Sequence, residues 1–107
     1  MNWRVTFFSR KVKTQALAFP EGILANFLHS ISLVERFGPH VGMPYSRFMG
    51  TGLYELRGRG KEGIGRAFFC ALSHGELVIL NAFVKKSQKA PKRELELARQ
   101  RMKLVMK

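Results

Sequence analysis

Cysteine is nearly missing from this sequence: Cys70 stands alone among 107 residues. One thiol builds no internal disulfide framework and suits a reducing compartment. It also removes most zinc-site patterns, and the three histidines, His29, His40 and His74, show no ligand spacing, so no metal is expected. No apolar run approaches the ~20 residues that a membrane span needs, which argues against a membrane partner. The opening MNWRVTFFSRK has too short an apolar stretch, and no small-residue cleavage site, to read as a signal peptide, so a cytoplasmic location is expected. A glycine-rich phosphate loop with its lysine is also missing, because GRGKEG (58–63) reads as a hairpin turn. No nucleotide cofactor or other cofactor is implied. No internal repeat or low-complexity tract interrupts the chain, and with 46% hydrophobic residues it is expected to form one folded domain over 1–107.

Acidic residues are the other shortage. Seven Asp and Glu face 19 Lys and Arg, for a formal net charge of +12. The excess is uneven: residues 83–107 hold nine of the 19 basic residues and two of the seven acidic ones. Such an imbalance favours a polyanionic partner, either nucleic acid or an acidic protein, through electrostatic attraction and counterion release. A solvated basic surface is the plainer alternative.

What the sequence does contain centres on Gly52 to Pro91. Three apolar runs, LYELR, RAFFCAL and ELVILNAFV, are separated by short glycine-rich or polar connectors, the pattern of an antiparallel meander. Turns centred near Lys61–Glu62 and His74–Gly75 place Arg57 opposite Arg66 and bring Phe83 beside Arg66, with Lys85 continuing that face. Like charges side by side in a sheet repel, so the cluster calls for an anionic ligand, phosphate being the simplest. The opposite face would carry Tyr54, Leu56, Ala67, Phe69, Ala71, Val78, Leu80 and Ala82, ready to be covered by helices. A slip of one residue would reverse that assignment.

Elsewhere the signals are simpler. WRVTFF (3–8) reads as a buried first strand in the same sheet. Lys11 to Phe19 is ambiguous between a short helical turn and coil. Pro20 opens a helix whose Ile23, Leu24, Phe27, Leu28, Ile31 and Val34 form one apolar stripe, stopped by Gly38. Residues 38–51, with two prolines, read as a loop from which Tyr45 and Arg47 are within reach of a ligand. After the polar KKSQKA, Pro91 opens a second helix with a narrow stripe of Leu95, Ala98, Met102 and Val105, the rest of its surface being basic.

GLYELR, the RAFF run and above all LNAFVKKSQKAPKRELELARQRM resemble the HigB-like, phage-related branch of the RelE/ParE toxins of bacterial toxin–antitoxin pairs. The likeness covers about half of the chain, from Gly52 to Met102. It implies an α+β fold: a four-stranded, mostly antiparallel sheet with N-terminal helices and a C-terminal helix. It also implies an endoribonuclease that cuts mRNA on the ribosome without a metal, held in check by a helix-turn-helix (HigA-like) antitoxin.

On that likeness, Arg57 and Arg66 take phosphate binding and transition-state stabilisation. Lys85 and Lys86 contact the RNA backbone, one of them moving a proton, while Phe83 stacks on a base, Gln88 orients the substrate and Lys89 adds a further contact. Glu55 is either a general base or an ion-pair partner of a nearby arginine. The chain departs from the better-known relatives in lacking a tyrosine or histidine near the end of the last strand, where FVKKSQK stands. Two rival readings share the fold class: a ParE-like toxin that binds DNA gyrase without cutting RNA, and a basic RNA-binding module without activity.

Overall fold

The computed structural model describes residues 2–85 and 91–106. The chain order is β1 (Arg4–Phe7), α1 (Arg10–Leu17), α2 (Glu21–Phe37), β2 (Ser46–Gly50), β3 (Leu53–Gly60), β4 (Gly63–Ala71), β5 (Glu76–Lys85) and α3 (Lys92–Val105). The strands form one five-stranded sheet in the order β1-β5-β4-β3-β2. Every neighbouring pair is antiparallel except β1 with β5, which is parallel. The α+β class is as expected, with one strand more than four.

That extra strand, β2, lies in the stretch read as a loop. Its two prolines and glycines hide it, because they precede the strand or close it. Thr51 and Gly52 both have positive φ, 46° and 77°, and join Gly50 to its partner Leu53 in a two-residue hairpin. Positive φ at both central positions matches the right-handed twist of paired strands. The ambiguous Lys11–Phe19 stretch proves to be mostly helix: Ser9 caps α1, its hydroxyl accepting from the Val12 N–H at 3.2 Å. Pro20 caps α2 one residue before its first turn, and Gly38 ends it.

Two helices cover one face of the sheet. Val12 and Ala16 of α1 and Ile23, Phe27 and Val34 of α2, with Phe19 between, pack on Tyr54, Leu56, Ala67, Phe69, Leu77 and Ile79. Gly58 makes the approach possible, since a Cβ there would lie 2.7 Å from the Phe27 backbone nitrogen. On the other face, Ala98 and Met102 of α3, joined by Leu95 and Val105, cover Leu53, Phe68, Cys70, Val78 and Leu80. The α3 stripe is the one expected, and the α2 stripe is too except for Leu28, which is 45% exposed because it falls at the outer margin of the helix face that meets the sheet.

The face assignment needs one correction. Val78 and Leu80 lie under α3, and Leu77 and Ile79 take the positions under α1 and α2. The cause is a bulge: Phe68 pairs with Asn81 but Phe69 with Ile79, so Leu80 is the extra residue. An added residue reverses the facing of everything before it on that strand. The Leu80 carbonyl accepts from Arg101 Nη1 of α3 at 2.6 Å, and Asn81 Nδ2 donates to the Glu94 carbonyl at 3.0 Å. The irregularity is thus part of how α3 is seated.

Candidate functional site

Beyond the end of α3's cover, the same sheet face turns from apolar to charged. Arg57 pairs with Arg66 across β3 and β4, and Arg66 with Phe83 across β4 and β5, the registers expected from the turns. Ile64 faces Lys85 two positions further, and Arg47 of β2 faces Glu55 of β3. Alternation then puts Arg47, Glu55, Arg57, Arg66, Phe83 and Lys85 on one side of the sheet.

Glu55 is the hub of this group. It is fully buried, and both arginines converge on it: Arg66 Nε lies 2.9 Å from Oε2 and Arg57 Nε 3.5 Å from Oε1. The contacts are charge to charge rather than in-line hydrogen bonds, since neither Nε nor either carboxylate oxygen meets hydrogen-bond geometry. One carboxylate thus shares its charge between two guanidiniums and leaves a net positive cluster. The two arginines differ in access. Arg66 is 3% exposed, while the Arg57 side chain is 18% exposed and its Nη1 reaches Met43 sulfur at 3.8 Å. Arg66 Nη1 is buried without a hydrogen-bond partner among the described residues. Burial pushes the Arg66 pKa down, Glu55 opposes that, and Arg57 and Arg47 add to it. The Lys85 ammonium is likewise held below its ordinary value, first by burial and then by Arg66 and Arg57. Phe83 is half-buried, its ring centroid 5.6 Å from that of Phe68. Lys86, Gln88 and Lys89 lie outside the described residues.

A cleft adjoins the cluster through Arg57. β3 runs past the end of β2, and its outer edge is closed by other groups: the Arg57 N–H donates to the Tyr45 carbonyl at 2.9 Å, the buried Ser30 hydroxyl donates to the Arg57 carbonyl at 2.6 Å, and the Arg59 N–H donates to Asn26 Oδ1 at 2.7 Å. Between α2 and the segment before β2 this leaves about 560 Å³, lined by Asn26, His29, Met43, Pro44, Tyr45, Arg57, Arg59 and Ile64. His29 and Tyr45 meet edge to face, centroids 5.8 Å apart. Among the described residues no three of His, Cys, Asp and Glu converge as a metal site would require, and no helix is long and apolar enough to cross a membrane.

A family model for phage-derived Gp49-like proteins (DUF891) matches residues 15–103. The chain belongs to the Gp49-like family. This is the HigB-like, phage-derived branch that the meander and α3 resemble. The Gp49-like chain is also similar in fold to a chain of the archaeal RelE–RelB complex of Pyrococcus horikoshii OT3, with a TM-score of 0.59 and 21% identity over 80% of this chain and 98% of that one. A search of curated protein sequences gave no match. Sequence reasoning about this Gp49-like chain found the charged strands but passed over Asn26, His29 and Arg59. The approach of Asn26 and His29 to Tyr45 and Arg57 depends on how α2 crosses the sheet edge, which no local spacing reveals, whereas Arg59, two residues beyond Arg57 on β3, was open to the same alternation argument.

Proposed function

We propose that this protein is a toxin of a bacterial toxin–antitoxin pair and acts as an endoribonuclease on mRNA, working in the cytoplasm on translating ribosomes and restrained by a HigA-like antitoxin. The observation that carries the reading is the Glu55-centred cluster: two arginines on one carboxylate, flanked by Arg47 and Lys85, with Arg57 the more accessible of the two arginines. Its net charge is offset by an anion of phosphate type, and family membership supplies the kind of anion.

In such a site the ribose 2′-oxygen attacks the adjacent phosphorus as its proton passes to solvent water, the bond to the 5′-oxygen breaks, and the ends are a 2′,3′-cyclic phosphate and a 5′-hydroxyl. Negative charge grows on the non-bridging oxygens as this proceeds. Arg57 meets that charge with a group that stays protonated and fits phosphate oxygens. Arg66 is too enclosed for direct contact; it holds Glu55, which in turn holds Arg57. Glu55 accordingly serves as an ion-pair hub rather than a base. Lys85, whose pKa is lowered by burial and by its cationic neighbours, hands a proton to the departing 5′-oxygen.

The test is direct: purified protein is incubated with a defined mRNA, with and without ribosomes, and the new 3′ ends are mapped and their phosphate state determined. Cyclic-phosphate ends within the reading frame are expected. Intact RNA in both settings, together with loss of gyrase supercoiling, would replace this reading with the ParE-like one.

A further inference from the structure

We infer that the cleft between α2 and the segment before β2 is a nucleobase site, taking one unpaired base of the RNA next to the phosphate that Arg57 holds. The inference deepens the nuclease reading and rests on it for the identity of the ligand. Its own ground is the cleft's construction. At about 560 Å³ it falls in the ~300–1,000 Å³ range of small-ligand sites. Its backbone wall is already satisfied by Tyr45, Ser30 and Asn26, so that edge of β3 is not waiting for another strand.

The side chains that line it are of types suited to a nucleotide. Tyr45 and His29 stand at 78° to one another, and in an edge-to-face pair the face of only one ring is covered by the other. Arg57 and Arg59 line the same cleft, and among the described residues Arg57 belongs to both the cleft and the Glu55 cluster. A base lying on the aromatic pair therefore has its own phosphate within the span of Arg57. Single-stranded RNA is bound in this way elsewhere, by stacking on aromatic rings beside a cationic track.

The probe is a 2′-O-methyl RNA trinucleotide, which lacks the attacking hydroxyl and so reports binding without cleavage. Affinity is measured by titration calorimetry on the whole protein, with amide NMR spectra confirming that each variant is folded. Tyr45→Ala is expected to weaken binding about 10-fold, the worth of one stacked base. Tyr45→Phe should bind like the wild type, and so should His74→Ala at the opposite end of the meander. Equal affinity of folded Tyr45→Ala and wild type overturns the base site, even if the protein cleaves RNA. Tyr45-dependent binding by a protein that cleaves no RNA upholds the base site and removes the nuclease reading instead.

Discussion

The two faces of the sheet are written by alternate residues of the same strands, yet they solve different problems. Under α1 and α2 the face is closed along its length by apolar side chains, with Phe27, Leu56, Phe69 and Ile79 nearly or wholly inaccessible. The other face is apolar only where α3 lies on it, and its remaining part holds Glu55, Arg57 and Arg66. Burying Glu55 and Arg66, with Arg57 partly exposed beside them, is a poor way to stabilise a fold, because desolvation offsets much of the attraction. On the proposed function, the contrast separates a face that supplies stability from a face that holds charge in place for a ligand.

Removing a large apolar group from the first face should therefore have the largest effect on folding. Phe27→Ala is expected to lower stability by about 3–5 kcal/mol, measured by urea denaturation. A loss below about 1 kcal/mol would mean that the face is not the main source of stability. Next comes the hub of the second face. Glu55→Gln strands two guanidiniums without a counter-charge and should cost about 3 kcal/mol. If the cluster is there for function, Glu55→Leu with Arg66→Met should regain most of that stability without regaining activity. A double variant no more stable than Glu55→Gln would show the cluster to be structural.

The smallest effect concerns Glu62, in the turn between β3 and β4. Its carboxylate accepts from the Gly22 N–H at 3.0 Å at the start of α2, which together with other backbone contacts holds its pKa below the ordinary value of 4.5. A depressed carboxylate contributes stability that is present above the unfolded-state pKa and lost as pH falls through the folded one. Glu62→Gln should thus remove a small part of the acid-side loss of stability, read as a shallower fall in melting temperature below about pH 4.5. An unchanged acid limb would show that the cap contributes nothing measurable.

How much of this was legible in the sequence follows from what each feature depends on. The facing of Arg57, Arg66 and Phe83 needs only short turns and two-residue alternation, and both are local. The helical stripes are local too, and α3 packs with the residues its spacing indicates. Val78 and Leu80 fall on the other face because a bulge depends on how Arg101 and Asn81 tie α3 to that strand, a long-range matter. β2 is hidden because a short edge strand between a proline-rich turn and a Thr-Gly hairpin has little alternation to show. The cleft draws His29 from a helix, Tyr45 from a connector and Arg57 from a strand, so only the assembled fold reveals it.

The central claim is that Arg57 is held by Glu55 for the sake of an RNA phosphate. The most direct measurement is the single-turnover cleavage rate of Arg57→Ala against wild type on the same ribosome-bound message, with stability followed in parallel. The account predicts a fall of about 100-fold or more in rate with less than about 1 kcal/mol lost in stability, as for a partly exposed ion pair. A folded Arg57→Ala protein that cleaves as fast as the wild type would contradict it.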